Sequence, residues 1–448
     1  MRRLQIADAK LRPGVQPRTE PDAMKSPRTP WVLHLPLAAT LLALGAGPAV
    51  AETNPYFIGL VQSFGHESNL YRIGDNQPLP AGLSKSDSIS ATSLFAGVDQ
   101  SFGRQRIYGS LNLKTNRYAS NKALNNASHG LNLALDWSTI ERLSGMLSVS
   151  ADQNLAQFNS RNGAGSIETR KNIVRTEQAD AKFRLGLVTQ YTVEAALGYR
   201  QVDYSSVDYQ RNQYQQTRHS LGLRYRYNGA LNLGSALRLT HVAYPQFRQT
   251  SVTTFEADIL KRKDLDLTAD WVPDAISQVY LRLSPTRSTY NRNTGSNFSG
   301  FTGSAAWDWQ ATGKSKLGTM LWRETGQSAY AANLGFGQPG VVDYSTIGTT
   351  LRIKGDHQIT GKTTATATMT YAHRSLTDTV TATLLGASTR TDGSDKTATL
   401  ALGGRWSPTR SAQLGCDVSN TQRSSSNARL SVALRGNSLS CYGQFVLQ

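Results

Sequence analysis

Cys416 and Cys441 are the two cysteines of this chain, and seven histidines are scattered along its 448 residues. Two thiols alone cannot build a zinc centre, which needs four N, S or O ligands in fixed geometry. In an exported chain an even pair of cysteines reads as a disulfide. Cys416 lies eight residues beyond a turn signal at Pro408 and Cys441 lies seven residues before the last residue, so adjacent antiparallel strands would carry them at similar heights. The alternative is two small, lipid-facing thiols. His66-Glu67 and His129 have no nucleophile or metal ligand at a readable spacing, and His373-Arg374 and the abundant Ser and Thr of 361–399 read as strand and loop surface. Gly403-Gly404 sits inside an alternating run and lacks the setting of a phosphate loop. These residues predict no enzyme, no metal site and no cofactor.

The chemistry left is electrostatic. Lys and Arg number 48 against 31 Asp and Glu, a formal charge of +17. Where apolar and polar residues alternate, the polar face collects Arg106, Lys114, Lys182, Arg184, Arg200, Arg224, Arg226, Arg238, Arg282, Arg352, Lys354 and Arg405. Against them stand Asp136, Asp180, Glu194, Asp264, Asp266, Asp270 and Asp308. Tyr108 and Tyr280 share that face. A positive passage with low-dielectric walls concentrates anions, and rings of Arg or Lys select for them. Charged side chains inside a barrel also pair across strands, and basic residues near its outer rim meet lipopolysaccharide phosphates, so structural and lipid roles stay open beside a pore-lining one.

The elements that would hold these residues are strands. Leu133-Ala134-Leu135-Asp136-Trp137, Leu223 to Tyr227, Leu267 to Trp271, Ala305 to Trp309 and Leu402 to Trp406 each alternate with period two and stop in an aromatic just before a turn. Apolar residues facing lipid, polar residues facing a lumen, and an aromatic at headgroup level are the marks of a membrane barrel strand. Trp137, Tyr227, Trp271, Trp309 and Trp406 are therefore expected to form an interfacial girdle. Short turn signals recur near Gly103-Arg104, Ile140-Glu141, Thr189-Gln190, Gly229-Ala230, Pro273-Asp274, Thr312-Gly313, Thr360-Gly361 and Pro408-Thr409. Longer polar segments lie between them: Ile73 to Ser88, Asn159 to Lys171, Tyr204 to Gln216, Ser288 to Ser299, Ala331 to Val342 and Thr377 to Lys396. The expectation is an all-β, single antiparallel transmembrane β-barrel of about 18 strands, with 16 as the alternative, short periplasmic turns and long extracellular loops.

The start of the chain says where such a barrel would reside. From Met24 come Lys25 and Arg28, an apolar run from Trp31 to Leu44, and an Ala49-Val50-Ala51 ending, the parts of a secretory signal peptide cleaved before Glu52. The run is shorter than the roughly 20 residues of a spanning helix and contains Pro36. Residues 1–51 are thus read as a signal region with Met24 as a candidate start, and residues 52–448 as one barrel domain whose first strand begins near Tyr56, leaving no room for an N-terminal plug. Export to the outer membrane of a Gram-negative cell excludes nucleic acid as a partner despite the basic charge. It brings lipopolysaccharide, outer-membrane lipids and the barrel-insertion machinery within reach; Phe445 is the aromatic nearest the C-terminal position that this machinery reads.

Asn54-Pro55-Tyr56, Ser68-Asn69-Leu70-Tyr71-Arg72, Ser86-Asp87-Ser88-Ile89, Gly103-Arg104-Gln105-Arg106 and the ending Cys441-Tyr442-Gly443-Gln444-Phe445-Val446-Leu447-Gln448 resemble the EpsL-type exopolysaccharide-operon proteins, outer-membrane barrels encoded among polysaccharide synthesis genes. The resemblance spans the mature chain. It implies a passive conduit for an exopolysaccharide, acidic if the positive face selects it, working with periplasmic and inner-membrane secretion proteins. A general diffusion porin or small-anion channel, and a structural or adhesive surface barrel, are the competing readings.

Overall fold

The computed structural model describes residues 54–158, 169–186, 190–250, 254–292, 294–333, 339–382 and 388–447. The expected signal region 1–51 lies outside them. The elements are β1 (Tyr56–Glu67), β2 (Asp87–Phe102), β3 (Gln105–Tyr118), β4 (Asn126–Ser138), β5 (Leu143–Leu155), β6 (Ile173–Leu185), β7 (Tyr191–Tyr204), β8 (Tyr214–Arg226), β9 (Leu231–Gln249), β10 (Phe255–Asp274), β11 (Ser277–Tyr290), β12 (Phe298–Thr312), β13 (Ser315–Asn333), β14 (Pro339–Gln358), β15 (Thr363–Ala382), β16 (Ser388–Trp406), β17 (Ala412–Ser425) and β18 (Leu434–Leu447). Every strand pairs antiparallel with its chain neighbours, and β1 also pairs with β18 from Ile58↔Leu447 to Glu67↔Ser438. The 18-stranded sheet is closed and leaves no edge.

Alternation decides the two faces. On β3, Ile107, Leu111 and Leu113 are exposed on one face, while Arg106, Ser110, Asn112 and Lys114 take the other. The same parity repeats with Leu131 and Leu133, Leu221 and Leu223, Leu281 and Leu283, and Leu400 and Leu402. So many exposed leucines in register form an apolar outer belt suited to hydrocarbon, as in a transmembrane β-barrel. Contacts that skip strands, such as Arg262 on β10 with Glu324 on β13, identify the opposite face as the concave interior.

The expected tight connections lie at one end, the shortest being the two-residue links Gly103-Arg104 between β2 and β3, Ala275-Ile276 between β10 and β11, and Gly313-Lys314 between β12 and β13; Thr189 of the expected turn Thr189-Gln190 lies outside the described residues. Gly103 takes a positive φ of 60° there, a backbone state that favours glycine in two-residue hairpins. The longer connections gather at the other end. Two of them are shorter than the sequence implies: β13 and β14 take in much of Ala331 to Val342, and β15 and β16 take in most of Thr377 to Lys396. Beyond the leucine belt neither face meets lipid, so these strands lose their apolar alternation and look like loops while their ladder continues, as from Leu376↔Gly393 to Thr381↔Ser388.

Candidate functional site

The candidate site is the interior wall and its long-loop mouth. Each residue expected to line a pore stands on the interior face: Arg106, Tyr108 and Lys114 on β3, Lys182 and Arg184 on β6, Arg200 on β7, Arg224 and Arg226 on β8, Arg238 on β9, Tyr280 and Arg282 on β11, Arg352 and Lys354 on β14, and Arg405 on β16. Period two puts them opposite the exposed leucines.

The wall from β6 to β13 is an ion-pair lattice. Glu194 accepts from Lys182 at 2.9 Å and from Arg184 and Arg224 at 3.3 Å. Arg224 also reaches Asp270 at 2.7 Å. Arg238 grips Asp266 with two bonds of 2.7 and 2.9 Å. Arg262 bridges Asp264 at 2.8 Å and Glu324 at 3.2 Å, and Arg282 donates to Glu324 at 2.6 Å. The Arg224–Asp270, Arg262–Glu324 and Arg282–Glu324 contacts hold strands that are not neighbours, and the lattice as a whole offsets much of the positive charge here. Sequence alternation did not pick out Arg262 and Glu324; both keep the interior parity of their strands, and that parity was the available signal.

The rest of the circumference is less compensated. Arg106 pairs with Asp99 at 2.6 Å and Lys354 with Asp356 at 2.9 Å. Lys114 and Arg405 have no ion pair with any described residue, and Arg352 lies over the Trp322 ring at 5.7 Å. Arg106 stands likewise over Tyr108 at 5.0 Å. The interior thus carries rings backed by guanidinium groups, a surface that combines apolar faces with hydrogen-bond donors.

At the mouth the long connections pack on one another. Tyr71 and Ile73 in the β1–β2 loop pack on Leu124 and Phe158 as a buried cluster. Tyr71 donates to Asn121 Oδ1 at 3.0 Å. Asp87, seven positions beyond Leu94 of the belt, accepts the N–H groups of Ser120 at 2.9 Å and Asn121 at 2.7 Å, and the Asn121 amide at 2.9 Å. Burial would raise the Asp87 pKa, but these bonds and that of the Ser88 N–H outweigh it and hold the carboxyl below its ordinary range. Burial, with Asp87 nearby, pushes the Tyr71 phenol up. A second cluster of Val242, Tyr244 and Phe247 with Tyr214 and Leu260 lines the wall beside the turn Val207–Asn212, which also touches β13.

Elsewhere, Cys416 and Cys441 are cross-strand partners joined as a disulfide with Cα atoms 4.0 Å apart. They lie on the outer face with Leu414, Val418 and Leu439. Trp137, Tyr227, Trp271, Trp309 and Trp406 all sit at the tight-turn end on the outer face, with Trp307 and Trp309 stacked at 5.5 Å. His66 meets only Ser88, at 3.1 Å, and among the described residues no group of His, Cys, Asp and Glu could hold a metal ion.

No family model and no curated protein matches the chain. Among solved structures it is similar to the siderophore receptor PirA from Acinetobacter baumannii, at 7% identity over 88% of this chain and 81% of that one, TM-score 0.41. It is also similar to the FrpB iron transporter from Neisseria meningitidis, at 9% identity over 88% and 82%, TM-score 0.43. A third is Pseudomonas aeruginosa OpdK, solved with vanillate, at 11% identity over 88% and 98%, TM-score 0.43. At these identities the likeness is one of barrel fold.

Proposed function

We propose that the protein is an outer-membrane channel that passively conducts an exopolysaccharide. The observation that carries the channel reading is an 18-stranded closure with leucines outside and charged groups inside, because barrels of about 16 to 18 strands enclose an aqueous lumen. The polymer reading is supported by the resemblance in sequence and by the interior rings. Trp322 with Arg352 and Tyr108 with Arg106 present flat apolar faces beside donors, which suits the two-sided surface of a sugar ring. Tyr280 next to Arg282 on β11 adds a further ring to the wall. Weak, repeated contacts of this kind admit a chain and let it advance. The driving force would come from synthesis or from a periplasmic partner.

Deletion of the gene tests the reading. Surface or secreted polymer should disappear while small-solute permeability stays near its original value. Unchanged polymer yield would remove the export reading. Loss of small-anion uptake instead would favour the anion-channel alternative, to which the unpaired Lys114 and Arg405 lend support.

A further inference from the structure

Lys261 and Lys263 on β10 and Arg287 on β11 stand on the outer face, exposed, just beyond Leu265, Leu267 and Leu283 of the belt. Lys263 and Arg287 are direct cross-strand partners, and like charges so placed repel. None of the three makes an ion pair with a described residue. The flanking outer-face positions, Leu239 and His241 on β9 and Ser299 on β12, supply no acid. Arg262, between the two lysines but facing inward, has both Asp264 and Glu324. Acids are therefore given to the inward cation and withheld from the outward ones, whose counter-charge must come from outside the chain.

An apolar groove of about 550 Å³ lies on the same wall; its Phe301 is the cross-strand partner of Pro285, two residues along β11 from Arg287. Leu283, Phe301 and Leu321 are among its sides, Gly303 and Ala305 keep its floor low, and Arg323 stands at its long-loop end. Pro285, on the same face of β11, has no N–H to give, and the β10–β11 ladder is interrupted between Asp264↔Thr286 and Leu267↔Leu283 with its register unchanged. The wall thus combines a trough for a hydrocarbon chain with unpaired cations at its headgroup end.

We propose that this wall binds a phosphorylated, acylated glycolipid of the outer leaflet, with one acyl chain in the groove and a phosphate held between Lys263 and Arg287. The site rests on the membrane reading above and is independent of what the lumen conducts. Guanidinium–phosphate hydrogen bonds are charge-assisted, and each basic group near an anionic lipid surface adds to the attraction.

The test uses the full chain, recovered from the outer-membrane fraction in mild detergent and titrated with diphosphoryl lipid A, dephosphorylated lipid A and inorganic phosphate, with bound lipid read by native mass spectrometry. Wild-type protein should bind the diphosphoryl form at least about tenfold more tightly than the dephosphorylated form. The double variant K263Q/R287Q should lose that preference, and A305F should weaken both lipids by filling the trough. Equal binding of the two lipids to wild-type protein would overturn the site, a comparison that needs no variant to fold. Displacement of the lipid by inorganic phosphate at equal concentration would overturn it too. Failure with protein correctly inserted leaves the channel reading standing, whereas wild-type protein missing from the outer membrane would overturn the membrane reading and this site together.

Discussion

Asp87 ties the start of β2 to the β3–β4 connection through hydrogen bonds to Ser88, Ser120 and Asn121. Its carboxyl is depressed in the folded chain, so its contribution is present above the unfolded carboxylate value near 3.9 and is lost as pH falls through the lower folded value. Hydrogen exchange in residues 69–86 and 119–126 should therefore stay slow from neutral pH down to about pH 4 and accelerate below it. Asp87→Asn should exchange fast already at neutral pH, because a neutral amide cannot replace a carboxylate that accepts several N–H groups. On the wall, the partners of each cation decide what a substitution does. Lys114→Glu with Arg405→Glu, at positions without ion pairs, should shift the reversal potential in planar bilayers toward cations with little loss of stability. Arg224→Glu would face Glu194 and Asp270 instead of binding them; a loss of roughly 2–4 kcal/mol on urea unfolding is expected, between the surface and buried limits for ion pairs.

Among the elements, β17 and β18 are joined twice, by a ladder from Ala412↔Phe445 to Arg423↔Leu434 and by the Cys416–Cys441 bridge. The chain-entropy estimate for a closed loop of this size is about 3 kcal/mol. Reduction, or Cys416→Ala with Cys441→Ala, should lower the temperature at which the unheated, folded gel band converts to the unfolded one, without changing the band below that temperature. The Trp137 ring lies against the backbone of its partner Gly145, where an added Cβ would come within 2.6 Å of it. Gly145→Val should displace that girdle ring and lower the same conversion temperature. The strands and turns were legible in the sequence because one face of each must be apolar and each tight turn needs its own residues, as at Gly103. Likewise the interior placement of Arg184 or Arg282 follows from parity alone. What parity could not supply was partnership: Arg262 and Glu324 are remote in sequence and meet only because the wall is concave. Nor does a polar stretch such as Thr377 to Lys396 declare itself as strand once neither face touches lipid.

At the scale of the whole molecule, closure of β1 on β18 makes the barrel a single cooperative sheet. Extracted without heating, it should run on gels apart from its heated form and give strand-dominated circular dichroism; recovery as a soluble periplasmic protein would end the membrane reading. The rim of this sheet is uneven. β9, β10 and β13 to β16 run 19 to 20 residues each, whereas β1 has 12 and β17 has 14. On β15 Met369 and Tyr371 are exposed apolar residues of the belt, and the strand continues to Ala382. At about 3.3 Å per residue and a tilt near 40°, that surplus raises the strand end roughly 25–30 Å above the belt. Such a crenellated rim would carry the outer ends of the long strands out through the sugar layer of the leaflet while the stretch from β17 to β1 stays within it. The parts of this protein most open to antibodies and phage should then be those raised strand ends, and whatever leaves the barrel would be shed sideways, over the low stretch between them.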